Sequence, residues 1–359
     1  MSDLDDAYER FLLVDFEYGA GFANHGPMAV EALESIGHPA LIPAFVDSYA
    51  PRILAAQPGR VPPPEALAAA LGRPERAADW AAHFEAALTN GDWRGVALPA
   101  IRSLLPGLAG AAGHGLLRTV HALRALERED LPVRRRELAR GLAYWSANFR
   151  RLPGEPGRKA SVSGPGGDPL PDPATHLREV PQLPGCSRSA ETFVESMARL
   201  DALEAFRAAV EACPRPSADA VDGFLARLVR AAAALYVAHP EARIAYVHAV
   251  TIPGAVRWLA PRLEPVDAES AAGFAFQAVA AFHALFGATP TREGVDDEVA
   301  RVAGSWDEIR YRAACSLEEH AVKLAETCWR EHRLDPDPIL ALAAADAALR
   351  LGGHPNAGR

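Results

Sequence analysis

Apolar residues along this chain recur at the three- and four-residue spacing of an amphipathic helix, and they do so through most of its length. The pattern predicts helical segments over 28–36, 75–88, 96–105, 108–126 and 133–145. It returns over 190–210, 218–237, 243–259, 268–286, 296–329 and 338–351. The alternating β-branched pattern of half-buried strands is nearly absent. The predicted fold is therefore all-α, a single large multi-helix domain over residues 1–359. Residues 152–189 interrupt it, because their density of Gly and Pro removes helical dihedrals and backbone donors together. That stretch reads as a long central loop, either a lid over a site or a plain linker.

Composition narrows the class. A chain of 359 residues with 49% hydrophobic side chains can bury a large core. A net charge of -9, with no block of like charges, lacks the basic footprint that nucleic acids require. No apolar run is long enough for a membrane span and the first segment is acidic, so a soluble cytoplasmic protein is expected. The four cysteines, Cys186, Cys213, Cys315 and Cys328, form no CxxC pair and read as reduced thiols. No Gly-x-Gly-x-x-Gly follows a strand, so a dinucleotide site for NADPH or FAD has no support. No repeat of 30–45 residues points to an α-solenoid.

The candidate chemistry lies in histidines on apolar helical faces. His25 stands in Asn24-His25-Gly26-Pro27-Met28, just before a helix that Pro27 is suited to open. Asn24 there reads equally as an ordinary helix cap. His114 and His121 share one helical face, about 10 Å apart along the axis, too far to hold one ion together. His114 is the preferred ligand, with Arg118 one turn on as a substrate-anchoring cation and His121 as a packed neighbour. His248 shares an apolar stripe with Ile244, Ile252, Ala255 and Leu259, beside Thr251 and a proline expected to kink the helix at Pro253. His283 is a reserve ligand. His38, His176, His239, His332 and His354 sit beside Pro, Gly or charge clusters and read as surface or loop residues.

The strongest local signal is Glu318-Glu319-His320-Ala321-Val322-Lys323-Leu324. His320 falls in an apolar stripe and Lys323 lies one turn away on the same side. Of the 37 basic residues, Lys159 and Lys323 are the two lysines and the rest are arginines. A cation that merely snorkels from the stripe would be arginine in such a chain, so Lys323 asks for chemistry that arginine cannot perform.

These motifs, in order, resemble the questin oxidase-like family: Asn24-His25-Gly26-Pro27-Met28 with Glu31-Ala32-Leu33 and Gly37; His114-Gly115-Leu116-Leu117-Arg118; Leu142-Ala143-Tyr144-Trp145; Val247-His248-Ala249-Val250-Thr251; and Trp306 followed by Glu319-His320-Ala321-Val322-Lys323-Leu324. The resemblance implies an oxygen-dependent, Baeyer-Villiger-like opening of an anthraquinone-type ring. It implies non-haem Fe(II) held by His25, His114, His248 and His320, with Lys323 carboxylated by carbon dioxide as the anionic ligand. Arg118, Tyr144 and Thr251 would stand nearby without ligating, and a small aromatic molecule would be the partner. Three other readings stay open: an NADPH-dependent monooxygenase of the same family, a zinc hydrolase built on a carbamylated lysine, and a non-catalytic helical binding scaffold.

Overall fold

The computed structural model describes residues 2–19, 21–89, 91–159, 172–184 and 193–352. Among these, eighteen α-helices and one two-stranded hairpin make up the fold, which is 73% helical. The chain opens with α1 (Asp3–Leu12), started by a reciprocal cap in which Ser2 and Asp5 satisfy each other's backbone N–H groups. A hairpin follows, β1 (Glu17–Tyr18) paired antiparallel with β2 (Phe22–Ala23). The first half continues through α2 (Gly26–Ser35), α3 (Ile42–Tyr49), α4 (Pro64–Ala68), α5 (Ala77–Thr89), α6 (Trp93–Leu104), α7 (His114–Arg128) and α8 (Pro132–Ala147). Three short helices, α9 (Pro173–Arg178), α10 (Phe193–Met197) and α11 (Glu204–Ala212), precede the long pairs of the second half. Those are α12 (Val221–Ala238), α13 (Arg243–Leu259), α14 (Pro265–Phe286), α15 (Asp297–Ala303), α16 (Trp306–Ser316), α17 (Glu319–Leu334) and α18 (Pro338–Arg350).

Packing explains which helices are apolar all round. α2 rests on α7 and on α17, and α13 rests on the same two, so these four close a ring at the centre. α5 and α8 back it on one side, α12, α14 and α18 on the other. In α7 every residue from His114 to Leu126 is buried, which a one-sided amphipathic pattern does not specify. A second, smaller core lies under α1, α2 and α3, built around Tyr8, Phe11, Phe45 and Tyr49. No described helix is long and apolar enough to cross a membrane.

Several boundaries differ from the periodic reading. The helix expected over 108–126 starts only at His114, because Ala111, Ala112 and Gly113 all take left-handed backbone angles. The segment 296–329 divides at Gly304 and at Leu317, the latter left-handed with φ 50°. The segment 190–210 likewise divides into α10 and α11. Within the central loop, Asp172 caps the short α9. The helix through Pro253 continues unbroken from Arg243 to Leu259. His239, expected at the surface, is buried. Cys186 and His354 lie outside the described residues.

Candidate metal centre

The four central helices each bring one histidine to a common point. His25 is the residue that precedes α2, His114 is the first residue of α7, and His320 is the second of α17. Three helix starts therefore meet, and His248 reaches them from the middle of α13. The ligand atoms of His25, His114 and His248 all lie within 4.8 Å of one another. The Nε2 atoms of His25 and His114 face each other at 2.6 Å. The His320 ring stands 4.6 Å from that of His25 and 5.6 Å from that of His248, centroid to centroid. Metal–nitrogen bonds of about 2.0–2.1 Å place two ligands of one ion within about 4 Å of each other, so the trio is close to what one cation requires.

Two of the rings, His114 and His320, are held through Nδ1, while His25 is held through its backbone and His248 packs against an aromatic ring. Before α2, the Asn24 side chain accepts from the Gly26 N–H at 2.9 Å, while the His25 N–H donates to the Tyr49 hydroxyl at 2.9 Å. Asn24 thus orders the turn before α2, while the N-cap position is His25 itself, which makes no side-chain cap. His114 Nδ1 donates to the Ala111 carbonyl, which fixes its tautomer and leaves Nε2 with a free lone pair. That carbonyl is aimed by two alanines in left-handed conformation, Ala111 (φ 46°) and Ala112 (φ 58°). Such angles cost about 1–2 kcal/mol per residue, so the surrounding fold holds strain at this point. His320 Nδ1 donates to Glu318 at 2.9 Å, and the other Glu318 oxygen accepts from the Ala321 N–H at 2.7 Å. His248 lies parallel to the Phe282 ring, 12° apart in plane with centroids 6.0 Å apart.

Several buried polar atoms here find no partner. They are His25 Nδ1, His248 Nδ1 and Lys323 Nζ. Burial, and next the charge of Lys323, hold His25 and His114 well below the usual imidazole range. His248 is held low by burial, then by His114 and Lys323. Neutral imidazole is the form a metal binds. Lys323 is 1% exposed, and burial pushes its amine down to about 8 against the opposing pull of Glu319 and Glu318. Its charge disfavours protonation of His25, His114 and His248, while Glu319 and Glu318 favour its own.

Glu318, Glu319 and His320 also lie close enough together to suggest a separate cation site. Glu318, however, spends one oxygen capping α17 and the other orienting His320. The group is better understood as the outer support of the histidine cluster.

Of the other residues singled out from the sequence, none offers a free group to this centre. Arg118 makes a buried two-pronged pair with Glu137, Nε to Oε1 at 2.6 Å and Nη2 to Oε2 at 2.9 Å. Its fork is thereby turned away from the substrate-anchoring role expected of it. The Tyr144 hydroxyl donates to Glu17 at 2.8 Å, and the ring stacks on Phe16. Thr251 donates back to the Val247 carbonyl of its own helix at 2.9 Å. His121 pairs with Glu31 at 2.6 Å. His283 is bound by the Tyr246 hydroxyl on one nitrogen and Gln182 on the other, in a separate buried group with His239. Sequence reasoning missed Ala111, Tyr49 and Phe282, and it quoted Glu318 without assigning it the role of orienting His320. The run Gly110-Ala111-Ala112-Gly113 carried a signal, since so many small residues before a helix mark an unusual turn. Two open surface clefts, of about 570 and 580 Å³, have none of the five converging residues in their walls. No protein-family model and no curated protein matches this sequence.

Proposed function

We propose that the protein is a metal-dependent oxidoreductase that binds one iron ion per chain through His25, His114, His248 and His320, with carboxylated Lys323 as the anionic ligand. The observation that carries this reading is the buried trio of histidines, joined by a fourth ring and by a lysine amine with no partner. An unpaired buried amine costs several kcal/mol if charged, so a fold that keeps one needs a compensating use for it. Held down to about 8, the amine is neutral in part near neutral pH. Its lone pair can then form an N–C bond to carbon dioxide, one N–H proton leaves to solvent, and a carbamate anion remains. Three helix starts carry partial positive charge into the same space, which favours an anion among the neutral imidazoles. Iron, when bound, would supply the redox exchange with dioxygen that these side chains cannot perform alone.

The chain's own contribution is to hold His25, His114 and His248 neutral, to orient His320 through Glu318, and to keep the centre buried. The order of motifs that resembles the questin oxidase-like family supports an aromatic polyketide-type substrate. Protein purified without oxygen and supplied with ferrous iron and bicarbonate should bind one iron per chain. It should then consume oxygen with a hydroxyanthraquinone, and NADPH should make no difference. An absolute need for NADPH would favour the monooxygenase reading. Tightly bound zinc with no response to oxygen would favour a hydrolase, and no metal at all would leave a binding scaffold.

A further inference from the structure

The histidines of the cluster are not equally equipped to hold an ion. An imidazole that ligates through one nitrogen carries its proton on the other, and an acceptor for that proton fixes the ring and raises its basicity. His114 has such an acceptor in the Ala111 carbonyl, and His320 has one in Glu318 at 2.9 Å. The Nε2 atom of His25 is set against that of His114 at 2.6 Å, although its Nδ1 has no partner. The His248 ring differs from all three, because among the described residues it makes no hydrogen bond through either nitrogen. Whichever of its nitrogens meets the ion, the other is left without a protein acceptor, and a buried N–H without one weakens the bond that depends on it.

Distance alone would single out a different ring. The closest trio of ligand atoms is His25, His114 and His248, with His320 outside it. His320 is nevertheless tied in place, since Glu318 accepts from its Nδ1 with one oxygen and from the Ala321 N–H with the other. His25 is pinned by its main-chain N–H, which donates to the Tyr49 hydroxyl. His248 is placed by packing, its ring parallel to that of Phe282, which carries no hydrogen-bonding atom. Packing confines a ring, but a hydrogen bond is what fixes the direction of its lone pair. His248 also stands apart in the set, its centroid 6.1 Å from that of His25 and 5.6 Å from that of His320, whereas His25 lies within 4.6 Å of both His114 and His320.

We infer that His248 is the exchangeable ligand of this centre, the donor that yields its place to an incoming oxygen donor while His114 and His320 keep the ion. The inference rests on the reading of the cluster as an iron centre and specifies how that centre makes room. The four histidines and a carboxylated Lys323 leave about one free place on an octahedral ion. A substrate that offers two oxygen donors, or two molecules that offer one each, needs a second place, which a protein donor has to vacate. The exchange transfers neither proton nor electron: the incoming lone pair takes the position that the His248 lone pair leaves.

Cobalt(II) added with bicarbonate to the full-length protein tests this without any turnover. Proton NMR of the cobalt protein resolves the metal-shifted ring protons of each ligating histidine. Each set is assigned by its absence from the matching alanine variant, or from His248→Gln should the alanine variant lose its circular dichroism. Azide, with one donor atom, should fill the free place and leave every set of signals. Acetohydroxamate, with two oxygen donors, should remove the His248 signals and leave those of His114 and His320. Affinities should divide the same way. His248→Ala should weaken cobalt less than about tenfold, whereas His114→Ala and His320→Ala should each lose more than the 10–100-fold that removal of an outer acceptor alone costs. Glu318→Ala should fall within that range. Signals of all four rings that persist in excess acetohydroxamate, loss of the His320 signals in place of those of His248, or a His248→Ala defect as large as that of His114→Ala would each overturn the exchange while leaving the metal centre intact. A parent protein that binds no cobalt would instead sink the metal reading, and the exchange with it.

Discussion

The four central helices carry two buried polar regions, built on the same elements and finished in opposite ways. Where the starts of α2, α7 and α17 meet the middle of α13 lie His25, His114, His248, His320 and Lys323. Further along the same helices lies a ladder of charges: Glu31 of α2; His121, Arg124 and Arg128 of α7; Glu326, Arg330 and Glu331 of α17; and Arg257 of α13. In the ladder every group has a partner. Glu31 alone accepts from His121 at 2.6 Å, Arg128 at 2.8 Å and Ser35 at 3.0 Å. Burial works to raise the Glu31 carboxyl, but Arg124, His121 and Arg128 hold it well below the usual carboxylate range. In the cluster, by contrast, no hydrogen bond joins a carboxylate to His25, His114 or His248 among the described residues, and three buried nitrogens find no partner there. A fold that satisfies its buried polar groups in one layer and leaves them open in the next is shaped in the second by something other than stability.

That difference can be broken from the ladder side first. Glu31→Ala should strip His121 of its carboxylate and leave Arg124 with Glu326 alone and Arg128 with Glu34 alone, at a cost of about 3–5 kcal/mol in denaturant unfolding. A loss below about 1 kcal/mol would mean that the ladder is not the paired structure described.

The next largest effect separates two histidines of one helix. Divalent metal at a thousandfold excess over its dissociation constant should stabilise the protein by about 4 kcal/mol. His114→Ala should abolish that increment. His121→Ala should lower the starting stability yet keep the increment, and its disappearance there would erase the distinction between cluster and ladder.

Removing the unpaired amine should go the other way. Lys323→Met should stabilise the metal-free protein by about 1–3 kcal/mol, since a buried group without a partner is replaced by an apolar one. The sign with pH follows from the lowered pKa. The folded-state value is about 8 against 10.5 for an unperturbed lysine, so the unfolded chain binds the proton more tightly. The penalty on the parent protein is full below pH 8 and fades as pH rises toward 10.5. The advantage of Lys323→Met should fade over the same range, and an advantage that grew with pH would contradict a buried amine.

The smallest effect concerns the turn that aims Ala111 at His114. Ala112→Gly should relieve a left-handed backbone and stabilise the metal-free protein by up to about 1 kcal/mol, partly offset by glycine's greater freedom when unfolded. Metal affinity measured in the same variant sharpens the point. A turn that positions His114 should lose affinity when loosened even as stability rises, whereas unchanged affinity would reduce the turn to a connector.

Much of this was legible before any coordinates. Helical periodicity predicted the all-α fold, and the apolar stripes marked His248, His320 and Lys323 as inward-facing. The scarcity of lysine singled out Lys323, which proves to be the buried amine without a partner. Less was legible where small residues broke the period. Ala111 and Ala112 count as helix formers in a sequence, and only the close packing of the 110–113 turn forces them left-handed.

Arg118 and His121 mark the boundary between the two kinds of information. Helical spacing specifies the direction in which a side chain leaves its axis, so it determined that both would be buried along with His114. It cannot specify what stands opposite. His25 and His114 are 89 residues apart in the chain, as are Arg124 and Ser35, which are hydrogen-bonded to each other. Whether an inward side chain meets another imidazole, as His114 does, or a carboxylate, as Arg118 and His121 do, was decided by how far along each axis the helices came to pack. That axial register belongs to the tertiary structure, because it arises from contacts between distant segments that no local period encodes.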